Sequence, residues 1–431
     1  MNRAHFFLTA SALLLAPVLS LFPLEVQSVL DVMPTAVLVR EGGAASDPLV
    51  QTETTEITAQ TALSQSQPLA QGLSLSGTFW SMADSLPSRS PLDTPPAKID
   101  LEARVLELEL TWEALPGMLI FDAGKRVIHP SSGFFRTPLN VISHGSLGNG
   151  ANLTGSAVGT WEEGWVGAGV TVLLGDVTLS DFFSPRLQWS TDADSVLRYL
   201  TTQQENDQNL SQVDIRLGGA DLRLLGLLST GGPGSADPAL HFTAGAGLDT
   251  NVGDALTLRA EVSAADSANR MIVTGSQGSS AIATQTLKWA PRALVGFTWT
   301  NQDQLSVMGE YAYDGLGFLG NDYAELLAYS QSAKSTSAAA PDLLDQFGSF
   351  NAARHYLFLR LSDKIDDKLT AAGWTTVNAQ DGSGLTGIDL TLANDKWNLN
   401  AYLTNAWGGQ NTEGGLSPLL WTADVEVNLF F

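Results

Sequence analysis

The chain has 431 residues, with 22 Lys and Arg against 45 Asp and Glu, so its formal net charge is −23. An acidic chain without a basic tract lacks the electrostatic footprint that nucleic acid requires, which excludes nucleic acid as a partner. No cysteine is present, which excludes disulfides, thiolate metal sites and a cysteine nucleophile. No internal apolar run reaches the about 18 residues that a spanning helix needs, so any crossing of a membrane must be made by strands.

The N-terminal region divides into two parts before any sustained period appears. Arg3 precedes an almost wholly apolar run over residues 6–21, and this pattern predicts an export signal over residues 1–28. Residues 29–71 are rich in Ala, Thr, Ser, Gln and Glu, which predicts a periplasmic lead-in or partly ordered segment with helical fragments near residues 53–63.

From residue 72 onward, segments of about ten residues alternate apolar and polar side chains, and short and long connections alternate between them. This pattern predicts an all-β fold, a transmembrane antiparallel β-barrel over residues 72–431 with short periplasmic turns and long external loops. Seven short connections carry the Gly, Asp or Asn that tight turns need, and they give about 16 strands, although fourteen to eighteen fit the same pattern. The expected strands are 72–81, 97–113, 117–128, 162–174, 176–184, 209–218, 221–230, 239–250, 253–265, 288–300, 303–314, 351–363, 367–378, 384–394, 396–408 and 418–431.

The alternation also predicts which side chains face the barrel lumen. A basic side chain facing lipid at the bilayer midplane costs about 2–4 kcal/mol, so the charged set of each strand must face inward. One strand changes phase, which predicts a β-bulge near Val105 and Leu106. The expected pore-lining residues are Asp100, Glu102, Arg104, Asp122, Arg126, Arg136, Arg216, Arg223, Arg259, Glu261, Glu310 and Arg360. These charges either set the ion selectivity of a pore or neutralise one another in salt-bridge ladders.

The last strand, residues 419–431, places its apolar residues on one face and Asp424 and Glu426 on the other. It resembles the closing strand of Gram-negative outer-membrane β-barrels, and that resemblance implies that Phe431 is an assembly signal read by the barrel-assembly machinery. The same resemblance implies location in the cell outer membrane, in contact with its lipid.

A second stretch, residues 119–140, resembles a segment of a loose group of outer-membrane porin-like barrels. Gly124, Lys125 and Arg126 match the strand end of that segment, and Phe134, Phe135, Pro138 and Asn140 match its loop. The usual Gln is replaced by Arg126, and a Trp-Gly pair by His129 and Pro130. The resemblance implies barrel topology and a transport role without naming a solute.

Residues 129–160 form a long and unusually apolar connection. A loop of this composition should be covered, so it either folds into the lumen and narrows a channel or packs over the barrel mouth or a partner. The other long loops span residues 266–287 and 315–350, and residues 323–329 and 341–347 in the second are each able to form a short helix.

Two functions fit these features. The first is an outer-membrane porin-like channel for passive diffusion of small solutes or ions; the second is a barrel serving as sheath, electron conduit or surface-assembly scaffold for another polypeptide. A homo-oligomer or a partner protein fits either one. No spacing of nucleophile and base marks an enzyme, and we expect no catalytic residues, no cofactor and no metal site.

Overall fold

The structure is a computed structural model, and it describes residues 36–39, 57–86, 98–128, 130–139, 146–147, 161–162, 164–186, 206–230, 240–274, 281–333, 352–394, 396–409, 411–417 and 419–429. Strands dominate these residues. They are β1 (Ala36–Val39), β2 (Ile57–Ala70), β3 (Leu73–Leu86), β4 (Lys98–Leu115), β5 (Leu119–Arg126), β6 (Ser146–Leu147), β7 (Trp161–Glu162), β8 (Trp165–Leu174), β9 (Val177–Ser184), β10 (Gln208–Leu217), β11 (Ala220–Thr230), β12 (Leu240–Val252), β13 (Leu256–Ala265), β14 (Ala268–Thr274), β15 (Ala281–Leu287), β16 (Ala290–Thr300), β17 (Ser306–Asp314), β18 (His355–Lys364), β19 (Leu369–Asn378), β20 (Gly384–Asn394), β21 (Trp397–Trp407) and β22 (Leu419–Leu429).

Eighteen of these strands form one antiparallel sheet, which confirms the predicted barrel fold and the upper end of its strand range. Each strand pairs with its neighbour in the chain, from β2 through to β22, and β22 then pairs with β1. The strands β6 and β7, and β14 and β15, form two separate two-stranded sheets within the long connections. Two helices, α1 (Asn321–Ala333) and α2 (Glu413–Leu416), lie in long connections as well.

All seven predicted short turns are present, together with an eighth between β2 and β3. Five turn glycines adopt positive φ values, which a residue with a Cβ rarely tolerates: Gly72, Gly117, Gly175, Gly218 and Gly253. Because strands alternate in direction, these short turns share one end of the sheet and the long connections share the other. We call them the short-turn end and the long-loop end.

Two expectations need correction. Residues 57–70 form β2 and not helical fragments of a lead-in, and Ala36–Val39 pairs with β22, so the sheet begins before residue 72. The period-2 signal of β2 was weak because Gln65 and Gln67 occupy positions where its apolar set, Leu63 and Leu69, should continue. The loop over residues 266–287 contains the hairpin of β14 and β15. The helix expected at residues 323–329 is confirmed as part of α1, and the one at residues 341–347 lies outside the described residues.

A β-bulge lies where the phase change predicted it. Thr78 pairs with Glu107, but the next residue, Phe79, pairs with Val105, so Leu106 is left without a cross-strand partner. The extra residue restores the alternation of apolar and polar faces along β4.

The outward face of the sheet is apolar. None of the helices among the described residues is long and apolar enough to cross a membrane. Large apolar side chains remain exposed at alternate positions of successive strands, which is the pattern of a lipid-facing surface. Examples are Leu108, Leu110, Trp112, Phe121, Leu179, Phe183, Leu224, Leu228, Phe242, Leu248, Leu258, Val262, Val295, Phe297, Tyr311, Leu357, Leu359, Ile388, Leu390, Leu403, Trp421 and Val425.

Candidate functional site

Residues 130–139, which we call the inward segment, leave β5 and cross the interior of the barrel. Arg223 on β11 donates a hydrogen bond to the carbonyl oxygen of Pro130. The ring of Phe134 lies 5.4 Å from that of Phe358 on β18. The two strands are five positions apart in the sheet, or about 24 Å at the usual strand spacing of about 4.8 Å. The segment therefore lies along the inward side of the strands from β11 to β18, which is the inward path predicted for the long connection.

Glu261 on β13 anchors the first half of the inward segment. Its side chain accepts hydrogen bonds from Ser131 Oγ (2.5 Å), Ser132 N (2.5 Å), Ser132 Oγ (2.8 Å) and Gly133 N (3.2 Å). Asp249 on the neighbouring strand accepts a further bond from Ser132 Oγ (3.0 Å). Glu261 is only 3% exposed, and an ionised carboxylate surrounded by donors makes strong, charge-assisted hydrogen bonds.

Glu310 on β17 anchors the second half in the same way. Its two oxygens accept from the backbone N–H groups of Phe134 (2.9 Å) and Phe135 (2.7 Å). Arg259 on β13 lies 3.2 Å from Glu310 and donates to the carbonyl oxygen of Ser132 at 3.3 Å. Four consecutive backbone N–H groups, of residues 132–135, therefore point at two carboxylates of the barrel wall.

The far end of the inward segment is held by packing. Leu139 is fully buried against β12, where a Cβ atom at Gly245 would lie 2.6 Å from Leu139 Cδ2, and one at Gly247 would lie 2.7 Å from Leu139 Cδ1. The two glycines make the recess that this side chain occupies. Ser263 Oγ donates to the carbonyl oxygen of the preceding Pro138 at 2.7 Å, which fixes the backbone there.

Aromatic rings cover the middle of the inward segment. Phe135 stacks on Phe358, with centroids 5.4 Å apart and planes 4° apart. The Arg136 guanidinium lies over two rings, 4.7 Å from the centroid of Phe135 and 5.0 Å from that of Tyr356. Arg360 lies 5.6 Å from the centroid of Phe134. These contacts account for the apolar composition of the connection, because the phenylalanines rest on the barrel wall and not in water.

A charged cluster lies where β5 leads into the inward segment. Arg126 Nη1 is 2.6 Å from Asp122 Oδ2 and 3.7 Å from Glu109 Oε1. Glu107 accepts from the backbone N–H of Val127 at 3.2 Å. A Cβ atom at Gly169 on β8 would lie 2.3 Å from Asp122 Oδ2, so only glycine leaves room for this carboxylate. Three acids thus surround one base at the root of the inward segment.

Of the remaining predicted residues, two form ion pairs, three are placed by the sheet register alone, and one lies outside the described residues. Arg223 binds Asp214 on the adjacent strand at 2.7 Å, and Arg216 at the short-turn end lies 3.6 Å from Asp221 with 73% of its side chain exposed. The sheet register sets Asp100, Glu102 and Arg104 opposite Asp84, Met82 and Trp80, and Phe431 lies outside the described residues. Four arginines each pair with an acid, as the salt-bridge interpretation of these charges predicts: Arg126, Arg216, Arg223 and Arg259. Their role in permeation stays a prediction.

Sequence reasoning missed several residues of this site, among them Asp249, Asp214, Glu107 and Glu109. Asp214 shares the strand parity of Arg216, Glu107 and Glu109 continue the charged face of β4 once the bulge is counted, and Asp249 pairs directly with Arg259 across β12 and β13. The strand period could therefore have found them. It could not have found the serines of the inward segment, because nothing local shows that Ser131 and Ser132 meet Glu261.

A second polar cluster lies at the long-loop end, outside the membrane-spanning strands. Glu413 of α2 is fully buried and accepts from Tyr356 Oη (2.9 Å), Asn378 Nδ2 (2.8 Å) and Ala352 N (2.9 Å). Burial raises the pKa of Glu413 to about 7, against the lowering effect of its hydrogen bonds and of Arg136. Burial also raises the pKa of Tyr323, whose hydroxyl donates to Asp381 at 2.6 Å.

This network joins three connections of the long-loop end into one cap, defined by α1, residues 352–353, Tyr356, residues 378–383 and α2. The cap touches the inward segment through Tyr356, whose ring lies 6.1 Å from that of Phe135. No group of three or more potential metal ligands occurs among the described residues.

No family model matches the chain, and no curated protein matches it. Among solved structures the chain is similar to OmpF of Salmonella typhi in complex with daunomycin, at 10% identity and a TM-score of 0.46, covering 94% of this chain and 96% of that one. It is also similar to a triple mutant of the Rhodopseudomonas blastica porin, at 12% identity and a TM-score of 0.43, covering 95% and 99% of the two chains.

Proposed function

We propose that the protein is an outer-membrane porin-like channel through which small solutes or ions diffuse passively, with the inward segment forming its narrowest part. One observation carries the proposal: residues 130–139 cross the lumen and are held there by Glu261 and Glu310 of the wall. A pore that must exclude large solutes needs a rigid constriction, and buried charge-assisted hydrogen bonds supply that rigidity. The apolar outward surface supports location in a membrane.

The charges near the constriction support a preference for cations. Glu261 and Glu310 are held by donors of the inward segment, and Arg259 lies 3.2 Å from Glu310 and balances its charge. The cluster at the root of the segment retains an excess of acid, with Glu107, Glu109 and Asp122 against Arg126. Fixed charges of one sign beside a pore favour ions of the opposite sign.

The interior is partly filled by the chain itself, which leaves less room for a second polypeptide. This favours the channel over a sheath or scaffold for another protein. The test is recording from purified protein in a planar lipid bilayer, after heat-modifiable migration in detergent gels has established folding. Discrete conductance steps with a reversal potential on the cation-selective side are expected, and a folded protein with no conductance would refute the proposal.

A cysteine substitution then tests the role of the inward segment. The chain contains no cysteine, and Thr137 is an exposed residue of that segment. Reaction of Thr137→Cys with a bulky, charged thiol reagent should reduce single-channel conductance. The matched control is Leu390→Cys on the outward face of β20, where the same reagent should leave the conductance unchanged. Equal effects at both positions would show that the inward segment does not line the path.

A further inference from the structure

Three polar groups on the lumen side of β18, β20 and β21 lack hydrogen-bond partners among the described residues: Arg360 Nε, Asp389 Oδ2 and Asn400 Nδ2. Asp389 stands between the exposed residues Ile388 and Leu390, so its side chain points into the barrel, and the other two have the same inward parity. Asp389 is 6% exposed and Asn400 is 2% exposed. Buried polar groups are nearly always hydrogen-bonded, because an unmade bond leaves the full desolvation cost of the group uncompensated. We call these three residues the lumen trio.

Trp374 on β19 separates the two charges of the trio. Its indole Nε1 donates to Asp389 Oδ1 at 3.2 Å, and a Cβ atom at Gly387 would lie 2.3 Å from Trp374 Cε2, so the ring lies across that glycine. Arg360 pairs with Trp374 in the sheet register, on the strand at the other side. The charge of Arg360 acts on Asp389, but the two side chains form no ion pair with each other. Their strands lie about 10 Å apart, and the indole fixes the carboxylate at a distance from the guanidinium.

The lumen trio lies between the inward segment and the short-turn end. Arg360 lies 5.6 Å from the ring centroid of Phe134 in the inward segment, and Asp389 and Asn400 follow at positions nearer the short turns. Asn400 pairs with Thr391, two residues beyond Asp389, which makes it a diagonal neighbour of Asp389 at about 7–8 Å between Cα atoms. Thr391 is partly exposed, so a solute has an approach to the trio from the short-turn end.

We propose that the lumen trio binds a small zwitterionic solute, an amino acid with a polar side chain, on its way through the barrel; this rests on the channel function proposed above. The ammonium group of the solute donates to Asp389 Oδ2, and its carboxylate accepts from Arg360 Nε. The oxygen of its side chain accepts from Asn400 Nδ2. Two opposite charges held apart on a wall complement a molecule that carries both charges, whereas a simple ion satisfies only one of them and a neutral sugar satisfies neither.

Titration of L-glutamine against the ion current of the purified barrel in a planar bilayer tests this site. The current should fall saturably, and Asp389→Asn should raise the half-blocking concentration at least tenfold, because the charge that binds the ammonium group is lost. The matched control is Asp303→Asn, an exposed acid in the short turn between β16 and β17, which should leave that concentration unchanged. Equal block by glucose, or equal effects of the two variants, overturns the proposal.

Equilibrium dialysis of radiolabelled L-glutamine against the detergent-solubilised barrel measures binding without conduction. Heat-modifiable migration shows that each variant still folds, and Arg360→Gln should lower the affinity at least tenfold, as Asp389→Asn does. Asn400→Ala should lower the affinity for L-glutamine severalfold and leave that for L-alanine, which has no side-chain oxygen, unchanged. A folded barrel that conducts but does not bind L-glutamine contradicts only the site, and one that binds it but does not conduct contradicts only the channel.

Discussion

Replacing Glu261 by Gln should release the inward segment from the barrel wall. The carboxylate accepts four hydrogen bonds from three consecutive residues, and an amide keeps one oxygen while turning an NH2 group toward at least one of those donors. A hydrogen bond to a charged group contributes about 1.5–3 kcal/mol to stability, and one to a neutral group about 0.5–1.5 kcal/mol. Weakening three of the four bonds therefore destabilises the docked inward segment by roughly 2–4 kcal/mol, after the smaller desolvation penalty of the amide is counted. Since each 1.4 kcal/mol is about tenfold, the docked state should become roughly 30- to 1,000-fold less favoured.

Hydrogen exchange measures this equilibrium directly, because the amide protons of Ser132 and Gly133 are the groups that Glu261 binds. Their protection should fall by a similar factor in Glu261→Gln, and single-channel current should become larger and noisier. The matched control is Asp249→Asn, which weakens one bond, to Ser132 Oγ at 3.0 Å, and should lower protection by only about tenfold or less. Unchanged protection in Glu261→Gln, or equal losses in both variants, would refute the view that Glu261 is the anchor.

Three further changes test other parts of the structure. Gly245→Val should push Leu139 out of its recess and destabilise the docked inward segment by about 1–3 kcal/mol, which is measured as faster protease cleavage of that segment. The control Gly226→Ala should behave as wild type, because a Cβ atom there meets its nearest neighbour at 3.6 Å. Leu359→Arg, on the lipid-facing side of β18, should cost about 2–4 kcal/mol and lower the folded fraction in urea titrations in vesicles; no change would contradict the outward assignment of this residue. Burial raises the pKa of Glu413 from 4.5 to about 7, so the cap should be most stable below about pH 4.5. Its stability should fall by up to about 3 kcal/mol as pH rises through 7, which amide exchange in the cap measures. Glu413→Gln should abolish this pH dependence.

Much of the fold could be read from local pattern. Three features depend only on neighbours in the chain or on the next strand: the period-2 alternation, the glycines of the short turns and the bulge at Leu106. Each can therefore be recognised from a few consecutive residues. The requirement that lipid face apolar side chains then sets the direction of whole strands, which is why Glu261 and Glu310 were placed inward correctly. The sequence did not predict β2, because glutamines interrupt its apolar positions. Only its pairing with β3 shows that it belongs to the sheet.

The path of residues 130–139 could not be read in this way. The bond between Ser132 and Glu261 joins residues 129 positions apart, and that between Phe135 and Glu310 joins residues 175 apart. The apolar composition of the connection predicts that other groups bury it, but burial in the lumen and burial over the barrel mouth or a partner fit that composition equally well. The tertiary structure decided between them, because the inward side chains of β13, β17 and β18 present the carboxylates and rings that hold this segment. Glu261 and Glu310, two of the carboxylates predicted to line a pore, bind the inward segment, because donors of the chain itself lie within hydrogen-bond distance of them.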